Sequence, residues 1–456
     1  MVAYNFKRKN RMHKYIYLLI SLLIFGCQVE SFHVDPSKPQ FGDTTVDITG
    51  FAKLISSIMV ENDLTYMQMD DTTENVSDLL VEDVFSNTSF GKEGHREELA
   101  VLTSDTFLGI QIDNNLPTSM EIPSHIGAFG KSVDKEWYSD SEWFLIDPIQ
   151  KDYKYNSSQV IKLSGNIAEN LHLTSNNQYL LVGQVFIQEG YSITIDPGTV
   201  IFGAGRTGNT EPGVLIINRG AKIFAEGTPE NPIVFTSSAS VGARDRGDWG
   251  GIVLLGKSPN NKGENVTIEG IDATGNNGQY GGNDPDDDSG ILRFVRIEYS
   301  GIALSPGNEI NTLTLGSIGS KTKIDHIITS YAGDDAYEWF GGTVNLHHLV
   351  AFNTLDDDFD TDAGFSGSVQ YAYVLRDELA ADISGSKCFE STSSKNSSAV
   401  PETACVFSNV TAVGPLYLSE GLYDPQFQNG LKASNYSHLT VTNSIIVGAP
   451  IGAQNY

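Results

Sequence analysis

The sequence predicts an all-β fold: a right-handed parallel β-helix, a solenoid, preceded by a small N-terminal α-rich or mixed region. Three observations lead there. First, from about Gln178 short β-branched runs alternate with Gly, Asn and Asp turns, as in Ile193-Thr194-Ile195, Val214 to Ile217, Ile252 to Leu255 and Val441 to Val447. Runs of this length bounded by turn residues are strands. Second, they recur at roughly 20 to 30 residues, the spacing expected when each coil of a solenoid is one repeat. Third, one repeat is gap-free. Ile324-Asp325-His326-Ile327-Ile328 aligns with Leu346-His347-His348-Leu349-Val350 at an offset of 22 residues. The same offset sets Asp334 on Asp356, Asp335 on Asp357, Tyr337 on Phe359 and Glu338 on Asp360. Apolar falls on apolar and acid on acid, as in coils stacked at the inter-strand spacing of about 4.8 Å. A β-sandwich, the alternative, needs hairpin turns, and the gap-free repeat argues against them.

The chain divides into four parts. Residues 1–26 read as a lipoprotein signal peptide. Lys7, Arg8, Lys9, Arg11 and Lys14 make a basic segment, and Tyr15 to Phe25 is an apolar run too short for a mature membrane helix. The run ends Leu23-Ile24-Phe25-Gly26-Cys27, which is similar to a bacterial lipobox with Cys27 as the lipidated residue. This predicts a protein held by a lipid anchor in the cell envelope, at the outer membrane or cell surface. Residues 27–120 are a tether and a small N-terminal region, where Phe51 to Met59 and Val76 to Phe85 mix apolar and acidic residues at helical spacing. Residues 121–177, with Trp137, Trp143 and Phe144, are a lead-in segment, and residues 178–456 are the β-helix. No later stretch is apolar enough to predict a membrane span.

Charge narrows the partners. The 456 residues carry a formal charge of −28, and loss of residues 1–26 takes it to −33. Such a body repels phosphate backbones, which argues against nucleic acid, and favours cations. There are three cysteines. With Cys27 assigned to lipid, Cys388 and Cys405 are expected to close the Ser/Thr-rich loop between them as a disulfide in an oxidising compartment.

Residues 178–377 resemble a family of right-handed β-helix lipoproteins from Bacteroidota. The resembling stretches are Ile195-Asp196-Pro197-Gly198-Thr199-Val200-Ile201, Arg219-Gly220-Ala221-Lys222-Ile223, Ala225-Glu226-Gly227-Thr228, Asn231-Pro232-Ile233-Val234-Phe235-Thr236, Trp249-Gly250-Gly251, and Asp334-Asp335 through Glu338-Trp339-Phe340-Gly341-Gly342. The resemblance implies the fold and an envelope location, and no particular activity.

Two nucleotide-type spellings are set aside, so no nucleotide is expected. Gly251 to Ser258 satisfies the phosphate-loop pattern, but Ile252 to Leu255 is an apolar run suited to a buried strand. Gly203 to Gly208 spells GxGxxG, yet Thr210-Glu211-Pro212-Gly213 comes next instead of a helix. Arg246-Gly247-Asp248 reads as a turn, and Asn283 to Asp288 as a solvated acidic loop.

The acidic repeat is different. Asp334, Asp335 and Glu338 lie on one coil, and Asp356, Asp357, Asp358 and Asp360 on the next. Two like charges about 5 Å apart cost roughly 3 kcal/mol at an effective dielectric of 20. Stacked pairs therefore call for protons or a cation. An oxygen-only set of this size suits Ca²⁺, and these seven residues are the expected ligands. His326 and His348 stack in register beside His347, as a side-chain ladder does. Lys323 and Arg376 are the candidate bases for a lyase. Asp356-Asp357-Asp358-Phe359-Asp360 is similar to an acidic calcium motif of some β-helix pectate lyases, which pair calcium with a basic residue. Two functions are open. One is a calcium-stabilised binding or structural module for glycans, with Trp339, Phe340, Tyr371 and Tyr373 as a candidate aromatic platform. The other is a calcium-dependent polysaccharide lyase or glycoside hydrolase using the same groove.

Overall fold

A computed structural model of the chain describes residues 113–129, 137, 141–205, 212–305, 308–418 and 422–455. The expected signal peptide, Cys27 and residues 27–112 of the expected N-terminal region lie outside the described residues. The β-rich unit is made of Asp113–Ala128 and Ser132–Tyr456.

Twenty-two strands join in one continuous sheet, and every strand pairing in it is parallel, coil on coil. This is a parallel β-helix. The predicted register holds: Ile324 pairs with Leu346, Tyr337 with Phe359 and Glu338 with Asp360. Alternate residues point inward. They fill a continuous core of Ile, Val, Leu and aromatic side chains, among them Ile223, Leu254, Leu292, Ile327, Tyr337, Trp339 and Phe407. The run Gly251–Leu255 is one of these buried strands, which leaves it no freedom to wrap a phosphate. Arg246 is tied to Asp377 and Asp248 to Ser237, so that tripeptide is indeed a turn. In the 283–288 loop Asp287 is buried and Asp288 pairs with Lys222, so the loop is less solvated than its composition suggested.

From Phe294 onward, successive coils bend at a residue in the left-handed region. Phe294, His326, His348, Tyr371, Asn409 and Asn443 all have φ between 49° and 61° and interrupt long strands at equivalent positions. Their rings stack: His326 lies 4.3 Å from Phe294 and 4.3 Å from His348, and His348 lies 5.2 Å from Tyr371. The histidines are thus members of a side-chain ladder, as expected.

The first coil begins at Ile161–Ile167, which pairs with Gln178–Ile187, upstream of residue 178. That strand escapes sequence reading because only Leu163 is buried in it. Residues 113–128 and 141–155 form a strap along the bends. Its contacts run from Asn443 (to Asp113), through Thr411 (to Ala128) and Gln370 (to Glu121), to Arg296 (to Glu142). Trp143 is fully buried under it, against Phe294 and His326.

The expected disulfide is not formed. Cys388 and Cys405 are free thiols, both buried in the core. Cys388 belongs to Ser386–Ser391, which stacks on Phe359–Asp362. Cys405 immediately precedes Val406–Val413, which stacks on Ser368–Leu375. The two residues belong to different segments of the coil, and Cys405 Sγ lies 3.5 Å from Thr361 Oγ1.

Candidate functional site

The site is built from turns. On three successive coils a polar residue just before the outer-face strand caps a backbone amide. Asn311 Oδ1 accepts from the Asp335 amide at 3.2 Å, Asp335 Oδ1 from the Asp357 amide at 2.8 Å, and Asp357 Oδ1 from the Lys387 amide at 2.6 Å. In the strands after these turns, Tyr337 and Phe359 point inward, so the pleat turns Glu338 and Asp360 outward, one above the other. The result is a cleft of about 390 Å³ lined by Asp334, Asp335, Glu338, Asp356, Asp357 and Asp360. Four further carboxylates, from Glu269, Glu309, Asp382 and Glu390, complete it, and among the described residues Lys387 and Lys432 are the only cations in the lining.

Close approach is built into the floor. A Cβ on Gly333 would come within 2.5 Å of the Gly247 nitrogen and the Gly301 carbonyl oxygen, so this turn admits no side chain. The carboxyl groups beside it are crowded. Burial, then the charge of Asp356, pushes Asp334 up to about 9. Burial pushes Asp335, Glu338, Asp357 and Asp360 well above the ordinary range, with neighbouring carboxylates adding to it. Glu269 is pushed up to about 7, by burial and then Glu309. Glu390 moves the other way: against its own burial, Lys387 and Lys432 hold it low. Among the described residues, Asp334 Oδ2, Asp356 Oδ1 and Asp360 Oδ1 are buried atoms without a hydrogen-bond partner. Three triads bring their oxygens within 4.8 Å of one another: Asp334, Asp335 and Asp356; Asp335, Glu338 and Asp360; Asp357, Asp360 and Glu390.

A family model described as a pectate-lyase-like beta-helix domain matches residues 165–454. The chain belongs to the pectate-lyase-like β-helix family. No curated protein and no solved structure matches it.

In this pectate-lyase-like β-helix, six of the seven expected ligands reach the cleft. The seventh, Asp358, does not line it. It is fully buried and paired with Arg376, 3.3 Å away. Arg376 is equally buried, and its guanidinium donates to the carbonyls of Asp356 and Leu355, so it is a structural clamp and not a base in the cleft. Lys323 is exposed at the start of Lys323–Ser330, on another face. The aromatic platform is also absent. Trp339 and Tyr373 are buried, Phe340 is half-buried against Tyr280, and Tyr371 belongs to the ring ladder. The cleft's lysines, Lys387 and Lys432, were not singled out by the sequence. Lys387 lies 2.5 Å from Glu390 and 3.6 Å from Asp357, and Lys432 lies 2.7 Å from Glu390.

Proposed function

We propose that the protein is a lipid-anchored envelope module whose acidic cleft holds divalent cations, Ca²⁺ foremost, and through them binds anionic polysaccharide. The observation that carries this reading is the amide-capping ladder. Asn311 performs the structural task without charge, yet the next two coils use Asp335 and Asp357 for it. The extra charges are costly in the cleft and unnecessary for capping, so they call for a cation. Oxygens bound at about 2.3–2.6 Å from one Ca²⁺ lie within about 5 Å of one another, and the oxygens of each triad are that close. Partly coordinated calcium then offers open positions to uronate carboxylates, which an anionic cleft would otherwise repel. The family membership fits a polysaccharide ligand.

A polysaccharide lyase or glycoside hydrolase is the second reading, and Lys387 and Lys432 in the cleft are what favour it. Against it, both lysines are ion-paired to Glu390, and the carboxylates around Lys387 hold its pKa above the ordinary value despite its burial. A proton-abstracting lysine has to be neutral. The test is a screen of acidic and neutral glycans with calcium and with chelator, read for binding and for absorbance of unsaturated products. Calcium-dependent retention of uronic-acid polymers without new absorbance is the expected result. Product formation would favour the lyase, and glycan binding indifferent to chelation would remove calcium from the reading.

A further inference from the structure

A second cluster lies on another face of the coil. Asp325 and His326 belong to Lys323–Ser330, and His348 to Asn345–Phe352 on the next coil. We propose that Asp325, His326 and His348 form a site for one divalent transition-metal ion of the zinc class, separate from the calcium cleft.

Three observations carry this. The first is convergence: the Nδ1 atoms of His326 and His348 each lie 2.8 Å from the same oxygen, Asp325 Oδ1. Zn²⁺ bonds of about 2.0–2.2 Å require ligand atoms about 3.3 Å apart, so small side-chain rotations open the triad to an ion. The second is His326 Nδ1 itself, a buried atom that makes no well-aligned hydrogen bond despite its distance from Asp325. The third is redundancy. The ladder position is filled by Phe294 on one side and Tyr371 on the other, so ring stacking alone needs no imidazole. Likewise Asp325 stands where the neighbouring coils carry Arg293, His347 and Gln370. Among these coils the carboxylate therefore occurs only where it meets both imidazoles.

The chemistry selects the ion. Two imidazoles and one carboxylate suit Zn²⁺, Co²⁺ or Ni²⁺ and not Ca²⁺, which takes oxygen ligands. Arg293 Nε lies 3.5 Å from Asp325 Oδ2, the oxygen left over, and would orient the carboxylate from behind. Ligation through Nδ1 takes each ring as its Nε2–H tautomer, so a neutral ring shifts its proton from Nδ1 to Nε2 and an imidazolium releases one proton to solvent. Trp137 packs on His348 and Trp143 of the strap on His326.

The test is Co²⁺ titration of the full chain in excess Ca²⁺, which occupies the cleft carboxylates. Visible absorbance reads ligation and calorimetry reads stoichiometry. One Co²⁺, displaced by Zn²⁺, is expected. His326→Phe and His348→Phe keep the ring stack, and each should lose more than ~100-fold in affinity, beyond what an outer-shell change costs. Asp325→Asn is the third variant, should a phenylalanine fail to fold. Asp335→Asn with Asp357→Asn should leave Co²⁺ binding intact, and the histidine variants should keep their calcium response. Absence of a cobalt band in the wild type, or an equal band in the folded histidine variants, would make the cluster a side-chain ladder only.

Discussion

Asp335 and Asp357 do the same capping work as Asn311 and differ from it by a charge. Asparagine at both positions keeps the capping oxygen and removes the repulsion. In chelator, the variant Asp335→Asn with Asp357→Asn should therefore melt above the wild type, by roughly 5 °C for about 3 kcal/mol of relieved repulsion. Calcium at 100 times its dissociation constant should stabilise the wild type by about 2.7 kcal/mol and the variant hardly at all. Scanning calorimetry in both buffers decides it: equal calcium responses in the two proteins would refute the cation assignment. A different residue-scale logic governs Arg376. Burial pushes its partner Asp358 up to about 6, with the Arg376 charge holding it back. Arg376→Ala strands that carboxylate and should cost about 3–5 kcal/mol. Arg376→Met with Asp358→Leu should recover most of the loss in urea unfolding, since it removes both charges. Arg376→Ala unfolding at the wild-type urea midpoint would mean that the pair carries no such role.

At the scale of elements, the strap and the solenoid are held by different means. The solenoid is zipped by parallel ladders, whereas the strap rests on scattered polar contacts and on Trp143. Trp143→Ala should cost about 3–5 kcal/mol, but locally. Hydrogen exchange should show protection lost over residues 141–155 and kept in Lys323–Ser330. Loss of protection in both would mean that the strap and the coils unfold as one. The same contrast explains what the sequence disclosed. The 22-residue offset was readable because no insertion separates residues 324–360, and it put six cleft carboxylates in place. Glu390 stacks on Asp360 at an offset of 30, because the loop containing Asp382 lengthens that coil and conceals the register. Glu269 and Glu309 come from excursions between coils, around the antiparallel pairs Val266–Thr267 with Gln279–Tyr280 and Ile302–Ser305 with Asn308–Ile310. An excursion has no repeat to align, so its contribution to the cleft is invisible until folded. Asp358 was misassigned for a simpler reason: a run of three aspartates does not say which one the turn directs inward.

For the whole molecule, a cation site in the cleft, as proposed, would couple stability to pH and to calcium together. Its carboxyl groups titrate near ~4 in the unfolded chain. In the folded state Asp334 is raised to about 9 and Glu269 to about 7, each by burial first, and Asp335, Glu338, Asp357 and Asp360 are raised likewise. Between those limits the folded protein binds more protons than the unfolded one, so stability falls as pH rises. The contribution is complete below about 4 and lost on passing through about 9. Asp325 and Glu390 have the opposite sign: each is held low by its basic neighbours against its own burial, and what they add is lost only in acid. In chelator the melting temperature should therefore decline from pH 5 to pH 9. Calcium replaces the protons it displaces, so in calcium the decline should flatten. The apparent calcium affinity should rise over the same range, because ion and protons compete for the same oxygens. Melting curves at pH 5, 7 and 9, with and without chelator, separate this from a solvated acidic face. Such a face would show ordinary carboxylates, a flat profile in chelator across that range, and no dependence of calcium affinity on pH.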